Sequence, residues 1–274
     1  MINRILEERK MLFKLGIMTG NFHELEPEEA IRKLAKIGWK NFELYSVHLA
    51  QLDKRENPGK DFSKLRELCE NLGVSISVIH DSTQGVKSER VMQWARILGV
   101  KWIVVHPLIE ETKEKNLEIL SGWVKLAHKF RVGVAIENMH DCIQGVEGRR
   151  AFGAIPSELL WLVQNSDPEV VGICWDTCHA YVQKLNQYRA IKMLGKHLVH
   201  THINDNMLIS EEQHLTFLEG NVDWKGIIKA LREINYKGLF SIEGGRSISN
   251  LPLPLREIKL RYLLQLMKAA VEKM

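Results

Sequence analysis

Carboxylates and imidazoles recur at the ends of short apolar segments along the chain. Glu137 ends the segment VGVAIE, His202 ends LVHTH and Glu243 ends LFSIE. In a partly dry site such side chains repel one another or shift their pKa values unless a cation neutralises them. They are also ligand types that divalent metals take in proteins. The other members of this set are Glu43, His80, His106, Asp176, His179 and His200.

Each of these residues has an ordinary explanation when it is considered alone. A single histidine at the end of a strand is usually a hydrogen-bonded structural residue, and a single glutamate there is usually solvated. Several of them at one end of a sheet need a counter-ion, so the set predicts a bound divalent metal. Two or three carboxylates with one imidazole suit Mn²⁺, Mg²⁺, Co²⁺ or Zn²⁺, and the residues alone do not choose among these ions.

Strand-like and helix-like patterns alternate along the whole chain. Apolar runs such as WIVVH and VGVAIE indicate strands buried on both faces, as in a parallel sheet. Amphipathic segments lie between them, and the signals at their ends are Pro27, Gly38, Gly99, Pro156 and the N-cap residue Asp223. The predicted strands span residues 12–18, 42–46, 74–79, 102–106, 132–137, 170–175, 198–203 and 239–243.

Eight strands, each followed by a helix, match the number and length of a (β/α)8 TIM barrel. An open doubly wound sheet usually needs fewer units, and no G-x-G-x-x-G motif follows the first strand. We therefore predict one α/β barrel domain over residues 1–274, with residues 1–11 as an N-terminal extension. The carboxyl ends of the strands converge in such a barrel, which brings the polar residues together.

Composition and charge are those of an ordinary globular protein. Hydrophobic residues make up 45% of the 274 residues, and the formal net charge of +4 is low for a duplex-binding protein. Four scattered cysteines do not form a disulfide framework, which indicates a reducing compartment. The charged amino terminus lacks the apolar core of a signal peptide, and no run reaches the ~20 apolar residues of a membrane span. We expect a cytoplasmic protein with no membrane or nucleic-acid partner.

Several motifs resemble those of the xylose isomerase-like TIM barrels. This family includes sugar isomerases and ketose 3-epimerases, and it shares a superfamily with the apurinic-site endonucleases. The resemblance runs from about Leu15 to the last helix and is most specific in the segments IENMH, FGAIPSELLWLV, DTCH, HINDN, GNVDW and IEGG. It implies a metal-dependent isomerase or epimerase that acts on a sugar or sugar phosphate in carbohydrate metabolism.

The resemblance also implies a role for each polar residue. Metal ligands would be Glu137, Asp176, His202 and Glu243, with one divalent ion bound, for which we expect Mn²⁺. Glu137 and Glu243 would also be the catalytic acid/base pair, working through a cis-enediolate. Residues that contact the substrate would be His80, His106, Asn138, His179 and His214. Relatives pair as dimers or tetramers, which implies a homodimer or homotetramer here.

The chain departs from the ketose 3-epimerases after the seventh strand. Those enzymes carry an Arg a few residues beyond the histidine of that strand, whereas this chain continues His202-Ile-Asn-Asp-Asn-Met-Leu. After the eighth strand, Gly244-Gly245-Arg246 could contact the substrate by holding a phosphate, since barrels often bind phosphate in that loop. The same three residues would equally form an ordinary glycine turn with a solvated arginine.

The sequence is also compatible with three other functions. The endonucleases cut DNA with three zinc ions, and their ligand positions are nearly all matched here, the exception being Glu212 where they carry Asp. The low net charge and a first loop, GIMTGNFHE, that differs from their DNA-probing loop argue against that function. A polyol lyase or dehydratase of the same fold is the second, and a binding protein with a vestigial site is the third.

Overall fold

The strands of the chain close into a parallel barrel. The computed structural model describes residues 13–81, 86–141, 150–209 and 211–274, and only the backbone of Arg246. The strands are β1 (Lys14–Met18), β2 (Asn41–Leu44), β3 (Ser75–Asp81), β4 (Trp102–Val105), β5 (Gly133–Glu137), β6 (Val171–Asp176), β7 (Leu198–His202) and β8 (Leu239–Ile242). They pair in sequence order, and β1 pairs with β8 to close the sheet. The predicted (β/α)8 barrel is confirmed.

Helices surround the barrel. They are α1 (Pro27–Ile37), α2 (Ser46–Asp53), α3 (Pro58–Asn71), α4 (Ser88–Leu98), α5 (Lys113–Phe130), α6 (Pro156–Gln164), α7 (Thr177–Val182), α8 (Gln187–Leu194), α9 (Trp224–Glu233), α10 (Arg246–Ser249) and α11 (Leu253–Lys273). Of these, α1, α4, α6 and α9 begin or end at the predicted signals. Gly38 and Gly99 end α1 and α4 with φ of 116° and 74°, a conformation that glycine adopts without strain. The Asp223 side chain caps α9 by accepting from the N–H of Gly226.

The inside of the barrel holds a small apolar layer that sets the direction of the polar residues. Its buried members come from β3, β4, β5, β6 and β8 and are Val78, Val104, Ala135, Cys174 and Leu239. Side chains alternate along a strand, so residues two positions further on point to the same interior. On the first four of these strands those residues are His80, His106, Glu137 and Asp176. The interior packing therefore directs the candidate site residues towards the carboxyl end of the barrel.

Three details differ from the sequence predictions or lie outside the described chain. Strand β2 ends at Leu44 rather than at residue 46, because Tyr45 is the N-cap of α2 and its N–H donates to Oγ1 of Thr19 at 3.0 Å. Strand β3 continues to Asp81, two residues beyond its predicted end. The predicted extension over residues 1–11 and the predicted start of β1 at Leu12 lie outside the described residues. Across the described ranges, none of the helices has the length and apolarity of a membrane span.

A buried histidine joins the first two loops of the barrel. His48, on α2, is 0% exposed, and its Nδ1 lies 2.8 Å from Oγ1 of Thr19. Burial lowers the pKa of His48 to about 4. The folded protein therefore binds fewer protons than the unfolded chain at mildly acidic pH, so the stability that comes from neutral His48 is present above about pH 6.5 and is lost as the pH falls towards 4.

We expect His48→Gln to flatten the acid side of the stability profile. Between pH 6.5 and pH 4 the wild-type free energy of unfolding should fall by roughly 3 kcal/mol more than that of the variant. Urea titrations at a series of pH values measure this difference. His23→Gln, which changes an exposed histidine next to the same loop, is the matched control. Parallel profiles for wild type and His48→Gln would show that His48 does not cause the acid sensitivity.

Candidate metal centre

Four side chains from four strands meet at the carboxyl end of the barrel. Glu137, Asp176 and His202 are the last residues of β5, β6 and β7, and Glu243 directly follows β8. Nδ1 of His202 lies 2.9 Å from Oε1 of Glu137 and 3.9 Å from Oε2 of Glu243. The first three residues are fully buried, and the Glu243 side chain is 14% exposed. These four side chains, predicted as metal ligands, are called the central group below.

Asn204 links two carboxylates of the central group and was missed by the sequence analysis. Its Nδ2 donates to Oδ2 of Asp176 at 2.6 Å and to Oε2 of Glu243 at 2.7 Å. The carbonyl of Asn204 accepts from the hydroxyl of Thr177 at 2.6 Å, which holds the residue in place. The only signal in the sequence was its position two residues after His202, at the start of a loop.

The donor set of the central group fits a divalent cation. It offers three carboxylates and one imidazole nitrogen, the combination that Mn²⁺, Mg²⁺, Co²⁺ and Zn²⁺ accept. Oε2 of Glu137 is buried and is approached only by the imidazoles of His106 and His80, at 3.2 and 3.4 Å, in an orientation that makes no regular hydrogen bond among the described residues, so this oxygen is available to an ion. Burial raises the pKa of Asp176; nearby imidazoles oppose this rise, and the carboxylates of Glu243 and Glu137 add to it. A cation at this point would relieve that repulsion.

Two histidines lie on the β3–β4 side of the central group, as predicted for pocket residues. Nε2 of His106 lies 3.2 Å, and Nε2 of His80 lies 3.4 Å, from Oε2 of Glu137. The two Nε2 atoms are 3.0 Å apart. Ligand atoms of His80, His106 and Glu137 all lie within 4.8 Å of one another, so this side of the site could hold a second cation.

Three histidines on the opposite side surround a partly exposed glutamate, and we call these four side chains the rim group: His140, His179, Glu212 and His214. Glu212 lies 2.9 Å from Nδ1 of His140 and 2.7 Å from Nε2 of His214. His179 lies 3.4 Å from the same carboxylate through Nε2. Burial opposes protonation of His179, but the carboxylates of Asp176 and Glu212 outweigh it and raise its pKa to about 10. Of these four, sequence reasoning missed His140, although it stands three residues after Glu137.

Asn138 lies beside the central group, and its side chain makes hydrogen bonds to the backbone of Asp176. Its Oδ1 accepts from the N–H of Asp176 at 2.6 Å, and its Nδ2 donates to the carbonyl of Asp176 at 3.0 Å. The carbonyl of Asn138 accepts from Nδ1 of His179 at 2.7 Å. Asn138 therefore ties β5 to β6 and orients His179, while a direct contact with substrate stays a prediction.

Backbone conformation and close packing account for the two glycines that follow β8, Gly244 and Gly245. Gly244 has φ of 97°, in the left-handed region. A Cβ at Gly245 would lie 2.1 Å from the carbonyl oxygen of His214, so no larger residue fits there without a shift of backbone. The side chain of Arg246 lies outside the described part of the chain, and phosphate binding by this loop stays a prediction.

A buried aspartate anchors the long loop between β7 and α9, which carries Glu212 and His214. The carboxylate of Asp205 accepts from the N–H of Val222 at 3.0 Å and from the indole N–H of Trp224 at 2.7 Å. The backbone of Asp205 also pairs with Leu215 in an antiparallel bridge. The loop is therefore held from beneath, by contacts that do not involve the rim group.

Comparison with known proteins identifies the fold and the family of the chain. An uncharacterized protein of Methanocaldococcus jannaschii is 27% identical over 249 residues, which cover 79% of this chain and 80% of that protein. The crystal structure of a D-tagatose 3-epimerase-like protein has a TM-score of 0.74 at 22% identity, over 95% of this chain and 98% of the other. The IolI protein with a bound zinc atom has a TM-score of 0.77 at 17% identity, with coverages of 95% and 98%. The sequence profile of one family matches residues 31–263, and by that match the chain belongs to the xylose isomerase-like TIM barrels.

Proposed function

We propose that the chain is a divalent-metal-dependent isomerase or epimerase that acts on a sugar or sugar phosphate. The observation that carries this proposal is the convergence of two glutamates from different strands on one imidazole, that of His202. Both glutamates also approach the ring of His80, Glu137 at 3.4 Å and Glu243 at 3.7 Å. Two carboxylates that border one small space can serve the two faces of one substrate carbon. The fold shared with a D-tagatose 3-epimerase-like protein is compatible with a sugar substrate.

In this proposal the central group holds the ion, and its two glutamates also move the proton. A bound divalent metal supplies Lewis acidity towards the carbonyl and the adjacent hydroxyl of the sugar. One glutamate removes the proton from the carbon beside the carbonyl, which gives a cis-enediolate, and the other returns a proton on the opposite face. Burial opposes ionisation of Glu137 and Glu243, but the surrounding imidazoles, His202 foremost, together outweigh it and lower the pKa of both. An ionised glutamate is the form that accepts the substrate proton.

His179 is proposed to hydrogen-bond a substrate oxygen. Its Nδ1 is used by the carbonyl of Asn138, which only accepts, and this leaves Nε2 directed towards Glu212 and the mouth of the barrel. His80 and His106 line the opposite side of the same space. The substrate would therefore lie between two sets of imidazoles, with the reacting carbon next to Glu137 and Glu243.

The test is proton exchange catalysed by protein purified without chelator. We expect about one divalent ion per chain by elemental analysis, and incorporation of solvent deuterium beside the carbonyl of a ketose or ketose phosphate in D₂O. NMR of a ketose panel measures the exchange, and prior chelation should abolish it. Metal-loaded protein that exchanges no proton with any member of the panel would contradict the proposal.

A three-metal phosphodiesterase is a second candidate, because the site offers more ligand clusters than one metal needs. Among the clusters whose ligand atoms lie within 4.8 Å of one another, two flank the central group: His80, His106 and Glu137 on one side, and Asp176, His179 and His214 on the other. Close to three zinc ions per chain, together with cleavage of DNA at an abasic site, would favour this function over sugar chemistry. About one ion per chain and intact DNA would exclude it.

A further inference from the structure

Beneath the candidate metal centre lies a buried carboxylate for which the proposed reaction has no use. Glu43, on β2, is 0% exposed, and its neighbours Phe42 and Leu44 belong to the outer hydrophobic core. The pairing register of β2 with β3 shifts between Phe42 and Glu43, and such a shift re-aims a side chain. Its ion pairs in the described ranges are with His200 and His202 alone.

Each oxygen of Glu43 faces a different imidazole of β7. Nε2 of His202 lies 2.9 Å from Oε1, and Nε2 of His200 lies 2.9 Å from Oε2. The Ser241 hydroxyl approaches Oε2 at 3.4 Å. An ionised carboxylate only accepts hydrogen bonds, so both rings donate from Nε2. Both histidines are fully buried, so bulk solvent does not compete for these contacts.

The two imidazoles differ in what their second nitrogen faces. Nδ1 of His202 points at Glu137 and Glu243, inside the central group. Nδ1 of His200 is buried and has no hydrogen-bond partner in the described part of the chain. Without an ion, Nδ1 of His202 faces an ionised carboxylate at 2.9 Å and can only donate to it. A bound cation would displace that proton, and a ring that donates from Nε2 would then present its lone pair at Nδ1. Only for His202 does that lone pair face the candidate metal site.

We propose that Glu43 is a positioning residue: by accepting from Nε2 of His202 it fixes the orientation and tautomer of that ring, so that Nδ1 presents its lone pair to the metal. His200 pairs with the second oxygen of the carboxylate, but its own Nδ1 contacts none of the candidate ligands in the described part of the chain, so His200 has no role in presenting a nitrogen to the metal. The proposal rests on the metal site of the proposed function. Hydrogen bonds of this kind to a ligating histidine orient the ring and increase its basicity towards the ion.

Titration of Zn²⁺ into the chelator-stripped full-length chain tests this role, with two matched variants. Glu43→Gln keeps the size of the side chain but places an amide donor against one of the rings, so the dissociation constant should rise about 10- to 100-fold. His200→Gln removes the other partner of the same carboxylate and should leave the dissociation constant close to that of wild type. Folded Glu43→Gln that binds Zn²⁺ like wild type would refute the positioning role. Equal weakening by both variants would also refute it, because that result indicates loss of packing.

A second measurement uses wild type and does not depend on whether the variants fold. Long-range ¹H–¹⁵N correlation spectra of the zinc-loaded protein, labelled at histidine, report which ring nitrogen carries a proton. We expect His202 to be protonated at Nε2 and bare at Nδ1, and the reverse pattern would overturn the proposal. If wild type bound no divalent ion, both the metal site and this role of Glu43 would be ruled out. Tight binding of the ion without ketose turnover would contradict the proposed reaction but leave the role of Glu43 intact.

Discussion

Glu137→Gln and Glu243→Gln should each lower turnover of the ketose by about 10²- to 10⁴-fold, the range expected when a general acid or base is lost. Glutamine preserves the shape of the side chain but cannot accept a proton from carbon. Both residues lie next to Nδ1 of His202, in the space where the reacting carbon would be. The rate of deuterium exchange at saturating Mn²⁺ and sugar is the measurement.

The same residues are candidate ligands, so metal loss must be separated from loss of proton transfer. Elemental analysis of each variant at the Mn²⁺ concentration of the assay makes this separation. Glu67→Gln applies the same chemical change to an exposed position of α3 and should retain full turnover. Wild-type turnover in Glu137→Gln or Glu243→Gln would remove that residue from the acid/base pair.

Removal of the metal should lower the free energy of unfolding by about 4 kcal/mol, relative to protein at a metal concentration 1,000 times the dissociation constant. Without a cation, the carboxylates of Glu137, Asp176 and Glu243 face one another in a largely dry site. For a chain of this size the loss corresponds to a fall in Tm of roughly 8–16 °C. Thermal unfolding with chelator and with excess Mn²⁺ measures it.

Asp176→Asn isolates the role of one ligand charge in that stabilisation. Oδ1 of Asp176 accepts from the N–H of His179 at the start of α7, and an asparagine oxygen can make the same bond. The variant should therefore fold, and it should lose most of the stabilisation that Mn²⁺ gives to wild type. If Mn²⁺ raised the Tm of Asp176→Asn as much as that of wild type, Asp176 would not be a ligand.

The barrel and the positions of the central group follow from local sequence signals. Apolar runs buried on both faces predict parallel strands, and the geometry of the closed sheet brings their carboxyl ends together. Glu137, Asp176 and His202 end three neighbouring strands, so their proximity needs only the correct strand ends. The predicted ends were correct to within about two residues, which was enough to place these side chains at the carboxyl end of the barrel.

No local sequence pattern predicts the contacts that cross the barrel or lie within its loops. Glu43 meets His202 over a sequence separation of 159 residues, and a register shift on β2 decides where its side chain points. Asn204 and Glu212 lie on a loop whose path depends on the buried carboxylate of Asp205. Helix α2 was also missed, because its apolar residues lack a clear amphipathic pattern and its start depends on a contact with Thr19.

The anchoring of the β7–α9 loop by Asp205 also bears on how such a barrel acquires new substrates. The contacts that hold the loop, to Val222 and Trp224, are buried and separate from the side chains that the loop presents at the mouth. The Glu212 side chain takes no part in that buried anchoring, so substitution at Glu212 should alter the mouth of the barrel more than the base of the loop. In a barrel of this kind, changes at the mouth can accumulate above a loop base that stays fixed.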